Sequence, residues 1–104
     1  MLAVMKPELL NEADVQQALM ALPGWHVEGR ELTKEFPFAS YLAGIAFVNQ
    51  VARLAEEMNH HPDLLVSWRK VTVHLTTHSA GGLTELDLDL ARRLEPVAQP
   101  CVQP

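Results

Sequence analysis

Residues 59–78 read NHHPDLLVSWRKVTVHLTTH, and this stretch decides the fold. Pro62 disfavours the α conformation at the residue before it, so a helix that precedes it has to end just upstream. The two runs that follow, 64–68 and 71–78, are rich in Val, Leu, Thr and Trp and flank a short basic turn, which predicts a β-hairpin. The stretch therefore marks a change from helix to antiparallel sheet.

The longest predicted helix lies immediately upstream of this stretch. Apolar residues recur every three or four positions from Phe38 to Met58, and polar residues cover the opposite side. We expect the helix to end near Asn59 or His60. Its apolar arc covers about half the circumference, wider than the stripe of about 100° that packing on one sheet requires. Either the core of a single chain buries the whole apolar arc, or part of the arc faces another subunit.

Two elements are predicted at the N-terminal side. Residues 11–22 have apolar positions at helical spacing, with Asn11 as a candidate N-cap, and Pro23-Gly24 ends that helix. Residues 25–36 alternate between apolar and polar, with Gly29 near the middle. This alternation predicts a first β-hairpin.

The C-terminal side begins with a Gly-rich break at 79–82. A last helix is predicted from Glu85 to Leu94, with its end marked by Pro96. Thr84 and Asp87 have the spacing of a capping box in which Asp replaces the usual Glu.

The predicted order of elements is α-β-β-α-β-β-α. We predict a single α+β domain, in which a four-stranded antiparallel sheet is covered by three helices. We expect this domain to span residues 9–97, between an N-terminal tail, 1–8, and a Pro-rich C-terminal tail, 98–104.

Composition restricts the class of function. The 104 residues include eight Lys and Arg against thirteen Asp and Glu, a net charge of −5, which disfavours direct binding to nucleic acid. The single cysteine, Cys101, cannot form an intrachain disulfide. The chain has neither a signal-like start nor eighteen consecutive apolar residues. We expect a cytoplasmic protein that is not attached to a membrane.

Histidines are the main functional signal. Four of the five, His60, His61, His74 and His78, fall within nineteen residues. Because imidazole titrates at about pH 6.5, neighbouring histidines can supply one proton donor and one acceptor, as an elimination reaction requires.

Two alternative roles for the histidines stay open at this point. The adjacent pair could simply stabilise a helix C-terminus, where a protonated histidine contributes about 0.3–1 kcal/mol. Three histidines could also hold zinc, although adjacent ligands suit one ion poorly and the spacing matches no compact zinc motif.

The runs LPGW (22–25), AEEMNHHP (55–62), VTVHLTTH (71–78) and GLTELD (82–87) together resemble the pterin-4a-carbinolamine dehydratase family, known in animals also as a dimerization cofactor of a homeodomain transcription factor. The resemblance implies a four-stranded antiparallel sheet with three helices. It also implies a homo-oligomer, a dimer or tetramer, that assembles through the sheet edge and the long helix.

The resemblance also implies a site and a reaction. The implied catalytic residues are His60, His61 and His78, and the implied pterin-binding residues are Asn59, His60, His61, Thr76, Thr77, His78 and Ser79. The reaction is loss of the 4a-hydroxyl from the carbinolamine that aromatic amino acid hydroxylases leave, with no metal and no organic cofactor. We expect His61 and His78 to flank the 4a-hydroxyl and N5, while His60 orients the substrate.

Some positions qualify this resemblance. Asp87 belongs to the family signature, but its capping position accounts for it equally well. Leu64 stands where an aromatic residue is common in the family, and Trp68 follows four residues later. His74 and His26 are expected to be structural. The main rival function is a binding or assembly partner that keeps the fold without the activity.

Overall fold

Caps and tight turns divide the chain into helices and strands. The computed structural model describes residues 7–98. In chain order the elements are α1 (Glu12–Leu19), β1 (His26–Glu28), β2 (Glu31–Pro37), α2 (Tyr41–Met58), β3 (Asp63–Ser67), β4 (Lys70–Leu75) and α3 (Glu85–Ala98). One turn of 3-10 helix, His78–Ala80, separates β4 from α3. This order confirms the predicted fold class.

The predicted tails fall largely outside this range. Residues 1–6 and 99–104, and with them Cys101, lie outside the described residues, and the domain limits of 9–97 stay a prediction. Within residues 7–98, no helix has the length and apolar character needed to cross a membrane.

The four strands form one antiparallel sheet in the order β1-β2-β4-β3. Leu32 lies opposite Leu75, and Phe36 lies opposite Val71. Because directly opposed residues share a face, these four side chains lie on one side of the sheet, and all are buried. The core between this side and the helices also contains Phe47, Val51, Val73, Leu90 and Leu94.

Helix α2 is closed by a cap at each end. The Ser40 hydroxyl accepts a hydrogen bond from the Ala43 amide at 3.1 Å, so the helix begins after Ser40 and not at Phe38. Asn59 adopts a left-handed conformation, with φ of 50°, and the His60 amide donates to the Ala55 carbonyl at 3.0 Å. This is the hydrogen-bond pattern of a Schellman cap, and it confirms the predicted helix end.

Strand β4 is shorter than the sequence pattern predicts. It ends at Leu75, so the prediction that the second arm of the hairpin extends to His78 is wrong. The pairing of β2 with β4 stops at Leu75, and the pairing of β3 with β4 stops at His74. Thr77 instead forms a bridge with Gly82, which makes residues 77–82 a tight loop.

The ends of two helices also differ from the prediction. Helix α1 ends at Leu19, and residues 20–22 continue in turns whose amides bond three residues back. Helix α3 continues through Pro96 to Ala98, so Pro96 does not end it. The helical bond that Pro96 cannot make is to exposed Arg92, whereas Ala98 is buried against the core. Burial of this last turn outweighs the missing bond.

Candidate active site

Three elements meet at the carboxylate of Asp87. This residue lies in the first turn of α3 and is fully buried, and His60 at the end of α2 is 8% exposed. His60 Nε2 lies 2.6 Å from Asp87 Oδ1. Because an ionised carboxylate only accepts hydrogen bonds, Nε2 carries the hydrogen, which leaves Nδ1 of a neutral ring as an acceptor.

The second carboxylate oxygen joins the end of β4 to the start of α3. Asp87 Oδ2 accepts from the Thr77 hydroxyl at 2.8 Å and from the Thr84 amide at 2.9 Å. The hydrogen bond from the Thr84 amide to Asp87 is one of the two contacts of the predicted capping box. The other contact differs, because the Thr84 hydroxyl accepts a hydrogen bond from the Leu86 amide, at 3.2 Å, and not from the Asp87 amide. The capping and histidine-holding roles of Asp87 therefore coexist in one side chain.

The two threonine hydroxyls have a fixed direction of donation. Their oxygens are 2.8 Å apart, and both residues are buried. Since Thr77 donates to Asp87, the Thr84 hydroxyl has to donate to the Thr77 oxygen. Within residues 7–98, no buried side-chain nitrogen or oxygen lacks a partner. We call His60, Thr77, Thr84 and Asp87 the buried network.

His61 is exposed beside this network. Its Nε2 lies 2.5 Å from Glu56 Oε2, and its side chain is 54% exposed. The left-handed conformation of Asn59 turns the chain back, so that His61 meets the last turn of α2. The contact with Glu56 is not predictable from the sequence, because residues five apart do not face each other on a helix and only the reversal at Asn59 brings Glu56 and His61 together.

His78 lines a cavity of about 360 Å³ together with Arg30, Glu31, Thr76 and Gly81. The Thr76 hydroxyl donates to the Arg30 carbonyl at 2.8 Å, which joins the end of β4 to the turn between β1 and β2. The sequence pattern does not predict that Arg30 and Glu31 line this cavity. They lie more than forty residues before His78, and only the pairing of β2 with β4 brings them close.

The other predicted pterin-binding residues differ in accessibility. Asn59 and Ser79 are exposed, whereas the Thr77 hydroxyl is buried and committed to the network. His61 follows His60 in the chain, and His78 follows Thr77. Each exposed histidine is therefore attached directly to a residue that the network holds.

Two histidines lie outside this arrangement, as expected. His74 is on the sheet face away from the core, 3.2 Å from Glu31, and His26 pairs with Glu28. Trp68 is 74% exposed in the turn between β3 and β4. This turn is at the far end of β3, roughly 17 Å along the strand from its start, so Trp68 does not replace an aromatic residue at position 64.

The site contains no cluster with the composition of a metal centre. Among residues 7–98, no group of three or more His, Cys, Asp and Glu side chains is arranged to hold a metal ion. A larger cavity of about 530 Å³ lies between residues 7–10 and α3, and it is lined by Glu8, Glu85, Asp89 and Arg92 without any histidine.

A family model described as pterin 4 alpha carbinolamine dehydratase matches residues 8–97. The chain belongs to this family. A relative from Thermosynechococcus vestitus, provisionally named a pterin-4-alpha-carbinolamine dehydratase, is 47% identical over 91 residues, which are 88% of this chain and 96% of the relative. The family resemblance of the four motifs is thereby confirmed.

Two solved structures of the pterin dehydratase type share the fold. A transcriptional coactivator/pterin dehydratase from Brucella melitensis superposes with a TM-score of 0.81 and 40% identity, covering 86% of this chain and 97% of that one. A pterin dehydratase-like protein identified as a RuBisCO assembly factor in the alpha-carboxysome has a TM-score of 0.58 and 28% identity, covering 71% and 86%. Proteins with this fold thus differ in described function.

Proposed function

We propose that this chain is a pterin-4a-carbinolamine dehydratase, a hydro-lyase that removes water from 4a-hydroxytetrahydropterin by histidine acid/base catalysis. One observation carries the proposal. A buried histidine is held by a carboxylate, and two exposed histidines are attached to the same network in a chain of this family.

The reaction requires two proton transfers and no redox change. The C4a–O bond breaks as the hydroxyl takes a proton and leaves as water, while N5 loses its proton and its electron pair forms the C4a=N5 double bond. The product is the quinonoid dihydropterin. A positioned acid and a positioned base each contribute a factor of about 10²–10⁴ to such a reaction.

Exposure supports a division of roles among the histidines. His61 and His78 are exposed and therefore accessible to a ligand, so we assign them to the 4a-hydroxyl and N5 of the pterin. His60 is buried and its Nε2 is committed to Asp87, so it has one free ring nitrogen with which to orient the substrate. Glu56 holds His61 as Asp87 holds His60, and both carboxylates act through a histidine as positioning residues.

The reaction defines where its substrate comes from. The 4a-carbinolamine is the form in which aromatic amino acid hydroxylases leave their pterin, so the chain would return pterin to the reduced pool beside such an enzyme. We propose that it does so in the cytoplasm, without a metal or organic cofactor.

The direct test is the dehydration rate of freshly generated 4a-hydroxytetrahydropterin. We expect the wild-type protein to accelerate it, and His61→Ala and His78→Ala each to lose a factor of about 10²–10⁴. His26→Ala, which removes an exposed histidine paired only with Glu28, is the matched control and should keep the wild-type rate. A wild-type rate equal to the uncatalysed rate would contradict the proposal.

A second candidate function is an assembly partner without catalysis. It is favoured by the relative described as a RuBisCO assembly factor, which shares the fold at 28% identity. The two candidates separate in the same assay, because an assembly partner would fold normally and leave the dehydration rate unchanged.

We also propose that the chain forms a homo-oligomer, a dimer or tetramer. Strand β3 is at the edge of the sheet and carries exposed Leu65, and an unpaired edge is a template for another strand. Exposed Trp68, Tyr41 and Leu42 lie at the end of the sheet where β3 turns into β4 and α2 begins. Of the apolar arc of α2, Val48, Leu54 and Met58 pack against the core of the same chain, so only the first turn of the helix, with exposed Tyr41, supports a contact with another subunit.

A further inference from the structure

Strand β3 has a free side within the part of the chain that the structure describes. It pairs with β4 along its whole length, and residues 7–98 place no other strand beside it. Its middle residue, Leu65, is opposite Thr72 on the sheet face away from the core, and it is exposed. An unpaired edge presents a row of N–H and C=O groups, so it is a template for a further strand.

The two ends of this edge carry opposite charges. Asp63 begins β3, close to Glu56 at the end of α2, whereas Arg69 and Lys70 follow its other end. Antiparallel pairing of two copies of the edge would set the acidic end of each copy beside the basic end of the other. Parallel pairing would instead bring like charges together. The charges therefore favour a second copy of this chain, in antiparallel orientation, as the occupant of the edge.

Symmetry limits the register of such a pair. Directly opposed residues share a face of the sheet, so in a two-fold pair the register changes only in steps of two residues. The register that pairs all of β3 sets Leu65 opposite Leu65 of the partner subunit. It also sets Asp63 opposite the partner's Ser67.

This register brings the turn after β3 of the partner subunit to the candidate active site. When the pairing continues two residues upstream of Asp63, His61 lies opposite Arg69 of the partner subunit. A register two residues away in either direction moves the partner's Arg69 only as far as Asp63 or Asn59. In each case the turn reaches residues 59–63, the segment that contains His61.

The turn itself is a fixed projection. The Phe38 amide donates to the Arg69 carbonyl at 2.9 Å, and the Arg69 guanidinium lies 5.6 Å from the centre of the Trp68 ring, although Trp68 is 74% exposed. At the site, the paired side chains of His61 and Glu56 are 54% and 77% exposed. Water weakens an exposed ion pair, and a large exposed aromatic ring is typical of a contact surface.

We infer that the active unit is a pair of chains, in which the Trp68–Arg69 turn of one copy forms a wall of the other copy's site beside His61. This inference rests on the proposed function. Arg69 of the partner subunit is a positioning residue, whose charge lies beside the carboxylates of Glu56 and Asp63. The ring of the partner's Trp68 excludes water from the His61–Glu56 pair. A single chain leaves its site open on this side.

Cross-linking tests the pairing without requiring turnover. Asp63→Cys and Ser67→Cys, each in a Cys101→Ser background, place thiols on residues that face each other only between copies. Directly opposed strand residues have Cα atoms about 4.5–5.5 Å apart, within reach of a disulfide. Two copies of residue 63 in one pair would be about 13 Å apart, which is too far.

We expect the two variants to form a covalent dimer when they are co-expressed and oxidised, and neither variant to do so alone. Asp63→Cys co-expressed with Met20→Cys, in the same background, is the matched control. It should run as a monomer on a denaturing gel.

The same disulfide can fix a mixed dimer that tests the role of the turn. One chain carries His61→Ala with Asp63→Cys, and the other carries Trp68→Ala and Arg69→Ala with Ser67→Cys. The disulfide lies at the end where both the site and the turn are altered. The other end joins an intact His61 to an intact turn from the partner subunit.

We expect the dimer that carries only the two alanine substitutions in the turn to lose about tenfold or more in dehydration rate, because His61 is less firmly oriented. The fixed mixed dimer should have about half the rate of the wild-type dimer, since one of its two sites is complete. If the turn acted within its own chain, the mixed dimer would be no faster than the turn variant.

The outcomes separate the inference from the proposed function. Absence of the covalent dimer would overturn the pairing. A turn variant as fast as the wild type, or a mixed dimer no faster than the turn variant, would overturn the role of the partner's turn. A wild-type protein without dehydratase activity would overturn the proposed function and this role with it, and the cross-link would still decide the pairing.

Discussion

At the residue scale, the carboxylate of Asp87 both caps the start of α3 and holds the ring of His60. One oxygen accepts from His60, and the other accepts from the Thr77 hydroxyl and from the amide at the start of α3. A buried carboxylate with three donors is fixed in position, and it fixes the ring of His60 in turn.

Asp87→Asn is therefore expected to affect both stability and turnover. The side-chain amide of Asn has nearly the same volume as the carboxylate of Asp. It places an NH₂ group where a carboxylate oxygen now accepts a hydrogen bond, so one of the buried donors around position 87 loses its acceptor. We expect the free energy of unfolding in urea to fall by about 1–3 kcal/mol and the dehydration rate to fall with it. Asp89→Asn, on the same helix but at the surface and paired only with Arg93, is the control. Equal stabilities of the two variants would contradict the network.

At the element scale, the end of α2 determines where both adjacent histidines lie. The left-handed Asn59 directs His60 inward to Asp87 and lets His61 return to Glu56. Asn tolerates this conformation better than most residues do, and Gly tolerates it without steric cost.

Substitutions at Asn59 should therefore be ordered by their tolerance of positive φ. We expect Asn59→Gly to keep the free energy of unfolding within about 0.5 kcal/mol of the wild type, and Asn59→Val to lose about 1–2 kcal/mol, because a β-branched side chain meets the following carbonyl. Urea unfolding of both variants provides the measurement. If Asn59→Val were as stable as Asn59→Gly, the left-handed cap would not be the feature that closes α2.

At the scale of the whole molecule, Glu95 joins three distant parts of the chain. Its Oε1 accepts from the Trp25 indole at 3.0 Å and from the Lys34 amine at 2.5 Å, which connects α3 to the start of the first hairpin and to β2. The side chain of Lys34 is only 16% exposed, so its amine depends on Glu95 and on the carbonyl of Pro23.

We expect Glu95→Ala to lower the free energy of unfolding by about 1–3 kcal/mol, because two partly buried donors lose their acceptor. Asp89→Ala, which removes an exposed ion pair from the same helix, should cost about 0.5 kcal/mol or less. Thermal unfolding of the two variants makes the comparison. If Glu95→Ala lost no more free energy of unfolding than Asp89→Ala, the hydrogen bonds from Trp25 and Lys34 to Glu95 would not contribute to stability.

Assembly is the second prediction at this scale. If copies associate through the edge strand, Leu65→Lys should shift the sedimentation coefficient toward that of the monomer, because it places a charge on the exposed edge of β3. Met20→Lys, an exposed apolar position after α1, is the control and should sediment like the wild type. A wild-type protein that is monomeric at all concentrations would contradict the proposed homo-oligomer.

The sequence by itself determined the class of fold, the order of the elements and the residue types of the site, because these depend on short-range signals. Period-two and period-3.6 patterns, Pro62 after the histidine pair and the spacing of Thr84 and Asp87 all act within a few residues. The four family motifs added the histidines and the reaction that they imply.

Only the tertiary structure decided how these residues are arranged. The pairing of β4 with β2 stops at Leu75, and His78 lies in the tight loop that follows. Helix α3 passes Pro96 because the core buries its last turn. Contacts between segments far apart in the chain bury His60 and leave His61 and His78 exposed. Such contacts also place Arg30 beside His78. Local sequence patterns do not predict such long-range contacts, because the same helices, strands and caps are compatible with many other tertiary arrangements.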